Sequence, residues 1–250
     1  KGLDLFMVED DAPAQRETTS APAPIADDRI SLEALCQQYR VDMAHAQYIG
    51  ALATQIFDAT ETVHRLAPNM RSLLEAAALV HNIAYEIDPP NHHLRGRDIL
   101  MNTPLRGFSD DERRILACTT SFHRKKVHPD AEPIYTALPE DLRRDALALS
   151  AILRVADGLD HSQTQSTVID ALHLNANEVE IVVSGERAAE DAAQAQKKAD
   201  LWAKVFPVTV RVLPAPAEPS PAADSQPREQ LWRLVLPQAV RLDATISIVR

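Results

Sequence analysis

Several polar side chains interrupt otherwise apolar helical segments of this chain. They are His45, His81, Asn82, His92, His123 and Asp157. Imidazoles mixed with a carboxylate are ligands that Mn, Fe, Zn and similar divalent ions accept. Two such ions can hold both the attacking water and the leaving oxygen of a phosphoester, and they lower the pKa of that water. If these side chains converge, the chemistry they predict is metal-assisted hydrolysis of a phosphate ester or anhydride.

Each of these residues also has a structural explanation that spacing alone does not exclude. A single histidine on a helix stripe is more often a hydrogen-bonded core residue than a ligand. Asp157 could pair with Arg154 or close its helix, and the candidate ligands form no compact local motif. Four of the other histidines are interpreted as surface residues: His93, His128, His161 and His173.

The candidate ligands lie on segments with helical periodicity. An apolar, alanine-rich helix over 73–80 delivers His81 and Asn82 at its C-terminal end. His45 begins a stripe of apolar residues at helical spacing on a helix that starts near Asp42. Ser109 opens a capping box, which predicts a helix over 110–122.

The second half of the sequence changes its period. Pro139 stands at the predicted first position of a long helix through Asp157 and Asp160. Beyond it, strands are predicted around 168–174, 179–183 and 208–213, with an amphipathic helix over 187–205 before the last strand. The predicted fold class is therefore mainly α, with a helical bundle followed by a small α+β subdomain.

Composition shifts divide the chain into predicted segments. These are a flexible acidic lead-in (1–29), a helical domain (30–165), a small α+β subdomain (166–213), a Pro-rich linker (214–228) and terminal strands expected to join the small sheet (229–250). The sequence begins with Lys1 rather than Met, which is typical of a fragment or a processed form.

Charge and cysteine content narrow the functional classes. A net charge of −10 argues against a protein that grips duplex DNA, although a local basic pocket for phosphate remains compatible with it. Cys36 and Cys118 form no C-x-x-C pair, so neither a zinc finger nor a disulfide framework is predicted, and a cytoplasmic location is expected. No long apolar run predicts a membrane span.

The order of the candidate ligands resembles the H…HD…D signature of the HD phosphohydrolase superfamily, with Asn82 in place of the aspartate. Blocks across residues 32–212 resemble the C-terminal half of the exopolyphosphatase/guanosine pentaphosphatase (Ppx/GppA) family. The blocks that carry this resemblance are LLEAAALVHNIAYEI, HHLRGRDIL, LRGFSDDERRILACTTSFHRKK and LALSAILRVADGLDHS.

The resemblance implies an HD-type helical domain with a divalent metal (Mn, Fe, Mg or Zn). It implies that His45, His81 and Asp157 are ligands together with Asn82, and it places His92 and His123 where two-metal members carry extra histidines. Basic residues would then line a channel for phosphate oxygens, with a solvated charged face as the alternative. These residues are Arg95, Arg97, Arg124, Lys125 and Lys126.

Two departures from the family limit what carries over. The family's phosphatase chemistry is generally placed in an actin-like N-terminal half, for which these 250 residues with their 6 glycines leave no room. Asn82 is the second departure, because a neutral carboxamide offsets the repulsion between two cations less well than the bridging aspartate of HD enzymes.

Three functions remain open from the sequence. The first is an HD-type metal-dependent phosphohydrolase acting on polyphosphate, a guanosine polyphosphate or another nucleotide. The second is a non-catalytic module that binds such a ligand through its basic loop, and the third is a structural or dimerisation role, with a homodimer as the expected assembly. Catalysis is assigned to a metal-activated water rather than to a protein nucleophile.

Overall fold

The computed structural model describes residues 28–216. Most of the predicted lead-in, most of the Pro-rich linker and all of the predicted terminal strands lie outside these residues. The described helices are α1 (Leu32–Gln38), α2 (Met43–Ala59), α3 (Glu61–His64), α4 (Asn69–Val80), α5 (His92–Asn102), α6 (Asp110–Phe122), α7 (Pro133–Thr136), α8 (Glu140–Gly158), α9 (Ala188–Lys198) and α10 (Trp202–Val205). The strands are β1 (Val168–Leu174), β2 (Glu178–Ser184) and β3 (Thr209–Pro214).

The predicted fold class is confirmed: a helical bundle precedes a small α+β unit. Local signals fix several helix starts. The Asp42 carboxylate accepts hydrogen bonds from the first backbone N–H groups of α2, and the Ser109–Glu112 capping box starts α6 as predicted. Pro139 lies one position earlier than expected, as the residue that precedes α8.

Four helices form the core of the bundle. The apolar stripe of α2 packs on α4, and α8 is buried along most of its length between α2 and α6. Small residues let α2 and α4 approach closely. A Cβ built on Gly50 of α2 would lie 3.7 Å from Ala78 Cβ of α4. This close packing brings the C-terminal ends of α4, α6 and α8 into one region. No helix of the described residues is long and apolar enough to cross a membrane.

The small unit is a three-stranded sheet of order β1–β2–β3 with α9 packed against it. β1 and β2 form the predicted antiparallel hairpin, whereas β3 pairs with β2 in parallel. A parallel pair needs a crossover connection, and α9 supplies it. Gln196 ties α9 to β3, because its side chain donates to Val210 O at 3.2 Å and accepts from Val212 N at 2.9 Å.

The single helix predicted over 187–205 is wrong in one respect, since the segment forms two helices. α9 ends at Lys198 and a short α10 follows. The physical reason lies in tertiary contacts between them: the Asp200 carboxylate pairs with Arg154 of α8, and the buried Trp202 donates Nε1–H to Val208 O at 3.0 Å. Helical periodicity does not report such contacts.

The two parts meet where α8 and α9 touch backbone to backbone. A Cβ built on Gly158 would lie 2.4 Å from Ala195 Cα and 2.6 Å from Ala195 N. Only glycine allows α9 to approach the end of α8 this closely. This contact fixes the distance between the C-terminal residues of the two helices.

Gly158→Ala should therefore push α9 away from α8 and lower the free energy of unfolding by about 1–3 kcal/mol. Urea unfolding followed by circular dichroism measures it. Gly50→Ala is the matched control, because the added methyl group would meet Ala78 at an ordinary distance. Replacing a glycine within a helix by alanine should raise the free energy of unfolding by up to ~1 kcal/mol. Equal stability of the two variants would contradict the close-contact argument.

Candidate metal centre

Three helices deliver the central side chains of the site. His45 lies in the first turn of α2, His81 directly follows α4, and Asp157 lies in the last turn of α8. All three are buried, and they offer ligand atoms that lie within 4.8 Å of one another. His81 Nε2 is 3.7 Å from Asp157 Oδ1. The structure therefore brings together three of the side chains that the sequence nominated.

His45 is oriented by a carboxylate that the sequence did not single out as part of the site. Its Nδ1–H donates to Asp160 Oδ2 at 2.8 Å, and Asp160 is completely buried. Asp160 also accepts hydrogen bonds from the backbone and the side chain of Gln165, both at 2.8 Å. A fixed carboxylate on Nδ1 leaves the lone pair of Nε2 for a metal ion. Asp160 was recognised only as the far end of a helix.

Three further imidazoles follow one pattern. His81, His92 and His123 each place Nδ1 at 2.7, 2.7 and 2.6 Å from the carbonyl oxygen three residues earlier. Donation of the Nδ1 proton to that carbonyl puts the lone pair on Nε2, as it does in His45. Metal-binding histidines use this tautomer. At His92, however, Arg124 Nη1 also lies 3.0 Å from Nδ1 and can only donate, which favours a proton on Nε2 in that ring.

His92 and His123 face each other through these lone pairs. Their Nε2 atoms are 3.0 Å apart, and the His123 ring is also 5.3 Å from the His81 ring, centroid to centroid. Two nitrogen lone pairs at this distance repel unless a proton or a metal ion lies between them. The structure thus places this pair beside His81, and the second cation that the resemblance implied there stays a prediction.

The donor set fits a transition metal. The Nε2 atoms of His45 and His81 are buried and have no hydrogen-bond partner, which costs free energy unless a ligand satisfies them. Imidazole nitrogens with one carboxylate suit Mn, Fe or Zn better than Mg, which prefers oxygen ligands. The residues present therefore fit the kind of ion that the sequence predicted.

Asn82 lies beside this cluster, partly exposed. It lines a cavity of about 170 Å³ together with His45 and Tyr85. A carboxamide oxygen here can approach an ion held by His45, but it brings no negative charge. Of His45, His81 and Asp157, only His45 is among the residues that line this cavity.

Asp157 is paired with a lysine in place of the predicted Arg154. Lys198 Nζ, from the end of α9, contacts Asp157 Oδ2, whereas Arg154 pairs with Asp200. Burial opposes ionisation of Asp157, but the Lys198 ammonium, with His81 and His123, holds its pKa below the ordinary value. Burial lowers the pKa of His81 to about 4 and the pKa of His123 well below its usual range, so both rings stay neutral near pH 7.

The basic residues divide between two cavities. Lys125 and Lys126 are exposed on a cavity of about 260 Å³ that Arg97 and Arg124 also line, whereas Arg95 lines another cavity of about 390 Å³. The charge of Arg97 is largely offset, because it pairs with Asp98 and Glu132, each at 2.8 Å.

Arg124 connects the basic cavity to the histidine cluster. Its Nη1 donates to Pro89 O at 3.0 Å and also lies 3.0 Å from His92 Nδ1. Lys125 has a left-handed backbone with φ of 59°, which turns the loop sharply at this point. The basic surface is thus built mainly from residues 124–126.

The interpretation of His93 as a surface residue is wrong, because it is 5% exposed and lies on α5 with its ring centroid 6.5 Å from that of His123. Burial, with the charges of Lys125 and Arg124, lowers its pKa to about 4. The sequence carried a signal for the burial of this helix face, because Gly96 follows His93 by one helical turn. A Cβ built on Gly96 would lie 2.8 Å from Thr120 of α6, so this face packs closely on α6. Lys198 left no such signal, because it was one charge among several on an amphipathic helix.

Helical scaffolds that gather histidines and an aspartate around an inner cavity are typical of metal-dependent hydrolases. The family model described as Ppx/GppA phosphatase, domain III, matches residues 29–201. The chain therefore belongs to the Ppx/GppA phosphatase family and matches its third domain. The assignment to the family's C-terminal region is confirmed.

Two similar proteins carry the name guanosine-5'-triphosphate,3'-diphosphate pyrophosphatase. The one from Aeromonas hydrophila subsp. hydrophila is 27% identical over 137 residues, which cover 54% of this chain and 27% of the relative. The one from Pseudoalteromonas translucida is 26% identical over 98 residues, covering 39% of this chain and 20% of the relative. The chain thus matches about a quarter of the length of these relatives.

The lowered pKa values predict an acid-sensitive fold in the absence of metal. His81 and His93 have pKa values of about 4 when folded and about 6.5 when unfolded, so the unfolded chain binds more protons between these limits. Stability should be complete above pH 6.5 and fall toward pH 4, with a loss at pH 5 of about 2 kcal/mol for each group.

Urea unfolding in EDTA at pH 7.5 and pH 5 measures this loss. His93→Asn should unfold with a shallower pH dependence than the unaltered chain, because one of the imidazoles with a lowered pKa is removed. A free energy of unfolding that is the same at both pH values would contradict the assignment of neutral, buried imidazoles.

Proposed function

We propose that this chain is an HD-type, metal-dependent phosphohydrolase module. The observation that carries the proposal is the common orientation of four buried imidazoles, His45, His81, His92 and His123, whose Nε2 atoms turn inward around Asp157 while Nδ1 is held from behind. The Nε2 atoms of His45 and His81 have no hydrogen-bond partner among the described residues. The Nδ1 atom of His93 has none either, but only His45 and His81 offer ligand atoms within 4.8 Å of Asp157.

His45, His81 and Asp157, with the Asn82 oxygen, would hold one ion, and His92 with His123 would hold a second. Ions bound in this way lower the pKa of water and polarise a phosphoryl oxygen. The carbonyls behind His81 and His123 hold each of these rings in the ligating tautomer, and Asp160 does so for His45. The apolar helices around the site exclude bulk water.

The substrate class we propose is a phosphoester or phosphoanhydride, such as polyphosphate or a guanosine nucleotide of the kind named for the relatives. Arg124, Lys125 and Lys126 would neutralise phosphate charge next to His92. Arg97 would contribute less because of its acidic partners, and Arg95 would act only on a ligand long enough to reach the neighbouring cavity. A cytoplasmic location is proposed with this substrate class, as is a homodimer.

A second candidate function is a non-catalytic module that binds polyphosphate or a nucleotide. Two observations favour it: the neutral Asn82 at the predicted position of a bridging aspartate, and the ammonium of Lys198 on Asp157. Either feature lowers the negative charge available to metal ions, while the basic loop remains able to hold phosphate.

Metal content separates the two candidates. Protein purified without added metal should contain Mn, Fe or Zn by elemental analysis. Asn82→Asp should raise the metal content and the release of phosphate from polyphosphate or guanosine-5'-triphosphate,3'-diphosphate, because a carboxylate binds cations more strongly than a carboxamide. His81→Asn should remove the metal.

His173→Asn is the matched control, since His173 lies exposed on β1. It should leave the metal content unchanged. Trace metal in both the unaltered protein and Asn82→Asp would refute the enzyme and leave the binding module.

The basic loop can be tested independently of metal. Lys125→Glu with Lys126→Glu should weaken polyphosphate binding by tenfold or more at low salt, measured in EDTA by isothermal titration calorimetry, because two exposed cations at the cavity become anions. Lys197→Glu with Lys204→Glu makes the same charge change on α9 and α10 and should have a much smaller effect. Equal losses of polyphosphate affinity in both double variants would show that the loop attracts the ligand only through nonspecific charge.

A further inference from the structure

Lys198 occupies a position that the proposed metal chemistry does not use. Its side chain, 22% exposed, leaves the end of α9 and contacts the carboxylate of Asp157, whose side chain is 11% exposed. The lysine thus comes from the small α+β unit, whereas the carboxylate and the histidines belong to the helical bundle. One part of the fold supplies a cation to a site built by the other.

The backbone of Lys198 is held firmly in place. Arg154 Nε donates to Lys198 O at 3.1 Å, and Arg154 Nη1 donates to Phe122 O at 2.7 Å, the last residue of α6. The same guanidinium pairs with Asp200. Arg154 therefore joins the ends of α6, α8 and α9, and Lys198 leaves this junction in the direction of the site.

The start of α9 is also fixed. The completely buried Asp191 accepts from Ser162 N at 2.9 Å, from Ser162 Oγ at 2.9 Å and from Thr167 Oγ1 at 2.6 Å. With Gly158 in contact with Ala195, α9 is held against the end of α8 along most of its length. The position of Lys198 next to Asp157 is thus set by the packing of the whole helix.

Charge explains what the lysine does there. Asp157 is the one carboxylate of the triad, and the ammonium of Lys198 contacts it directly. A divalent ion on the same carboxylate would be repelled by the ammonium at short range. Asn82 adds no negative charge to offset that repulsion.

We propose that Lys198 is a built-in counter-ion that competes with divalent metal for Asp157 and so sets the metal concentration at which the centre fills. The inference rests on the proposed metal centre, but it makes a separate claim about affinity. At low metal the ammonium satisfies the buried carboxylate and the site stays intact. At high metal the ion displaces the ammonium, which can swing toward solvent because the lysine is partly exposed.

The test is the affinity for Mn²⁺, titrated by calorimetry into protein stripped with EDTA. Lys198→Met removes the charge and keeps an apolar stem, so it should bind Mn²⁺ about tenfold more tightly than the unaltered chain, or about 1.4 kcal/mol. Lys198→Arg keeps the charge and should not gain affinity. Lys197→Met is the matched control: it makes the same change one residue earlier, at an exposed position, and should bind Mn²⁺ like the unaltered chain.

Thermal unfolding separates this role from a purely structural ion pair. Without metal, Lys198→Met should melt at a lower temperature, because the buried Asp157 loses its partner, and Mn²⁺ should raise its melting temperature more than that of the unaltered chain. A lower melting temperature with no greater response to Mn²⁺ would overturn the proposal. Should Lys198→Met fail to fold, Lys198→Gln keeps a hydrogen-bond donor without the charge and carries the same expectation.

The outcomes also separate this inference from the proposed enzyme. Equal Mn²⁺ affinity in Lys198→Met and the unaltered chain would overturn the competition and leave the enzyme standing. Mn²⁺ binding by Lys198→Met alone would support the competition and count against hydrolysis by the unaltered chain. Absence of binding in every variant would overturn both.

Discussion

Asp157 is a carboxylate in the last turn of a buried helix, and much of the structure follows from that position. Burial and the negative end of the helix dipole both oppose its charge, so a cation must lie beside it. The described residues supply that cation from α9, and the histidines around the carboxylate are arranged as they would be for a metal ion. The docking of the small α+β unit on the bundle therefore also sets the charge balance of the site, because it brings Lys198 to Asp157.

Local sequence signals predicted much of the bundle. Capping residues and apolar stripes placed α2 and α6 closely, and the alternating pattern of 168–183 predicted a hairpin that the structure contains. The break between α9 and α10 could not be read in this way, because it depends on Asp200 and Trp202 meeting partners elsewhere in the fold. Patterns of hydrophobicity describe faces of helices and carry no information about individual distant contacts.

The structure brings together His45, His81 and Asp157, which the sequence had proposed as ligands, whereas their partners were harder to predict. A single histidine on an apolar face is more often a core residue, so it was the resemblance that nominated these residues together before any geometry was known. Asp160 and Lys198 act on those ligands, yet each is an ordinary charged residue at a helix end. Lys198 reaches Asp157 because α8 and α9 cross closely, which the sequence encodes through Gly158 and Ala195 rather than through any charged motif.

The junction at Arg154 has a consequence for how the protein can be divided. The predicted boundary at residue 165 separates the helical domain from the small unit in sequence, but the guanidinium ties both together through backbone carbonyls on α6 and α9. A chain cut at this boundary would keep every proposed metal ligand. It would lose Lys198 and Asp200, which pair with Asp157 and Arg154. The two parts are thus a single experimental unit: replacing the small unit without its lysine would change the charge balance of a site whose proposed ligands all lie in the bundle.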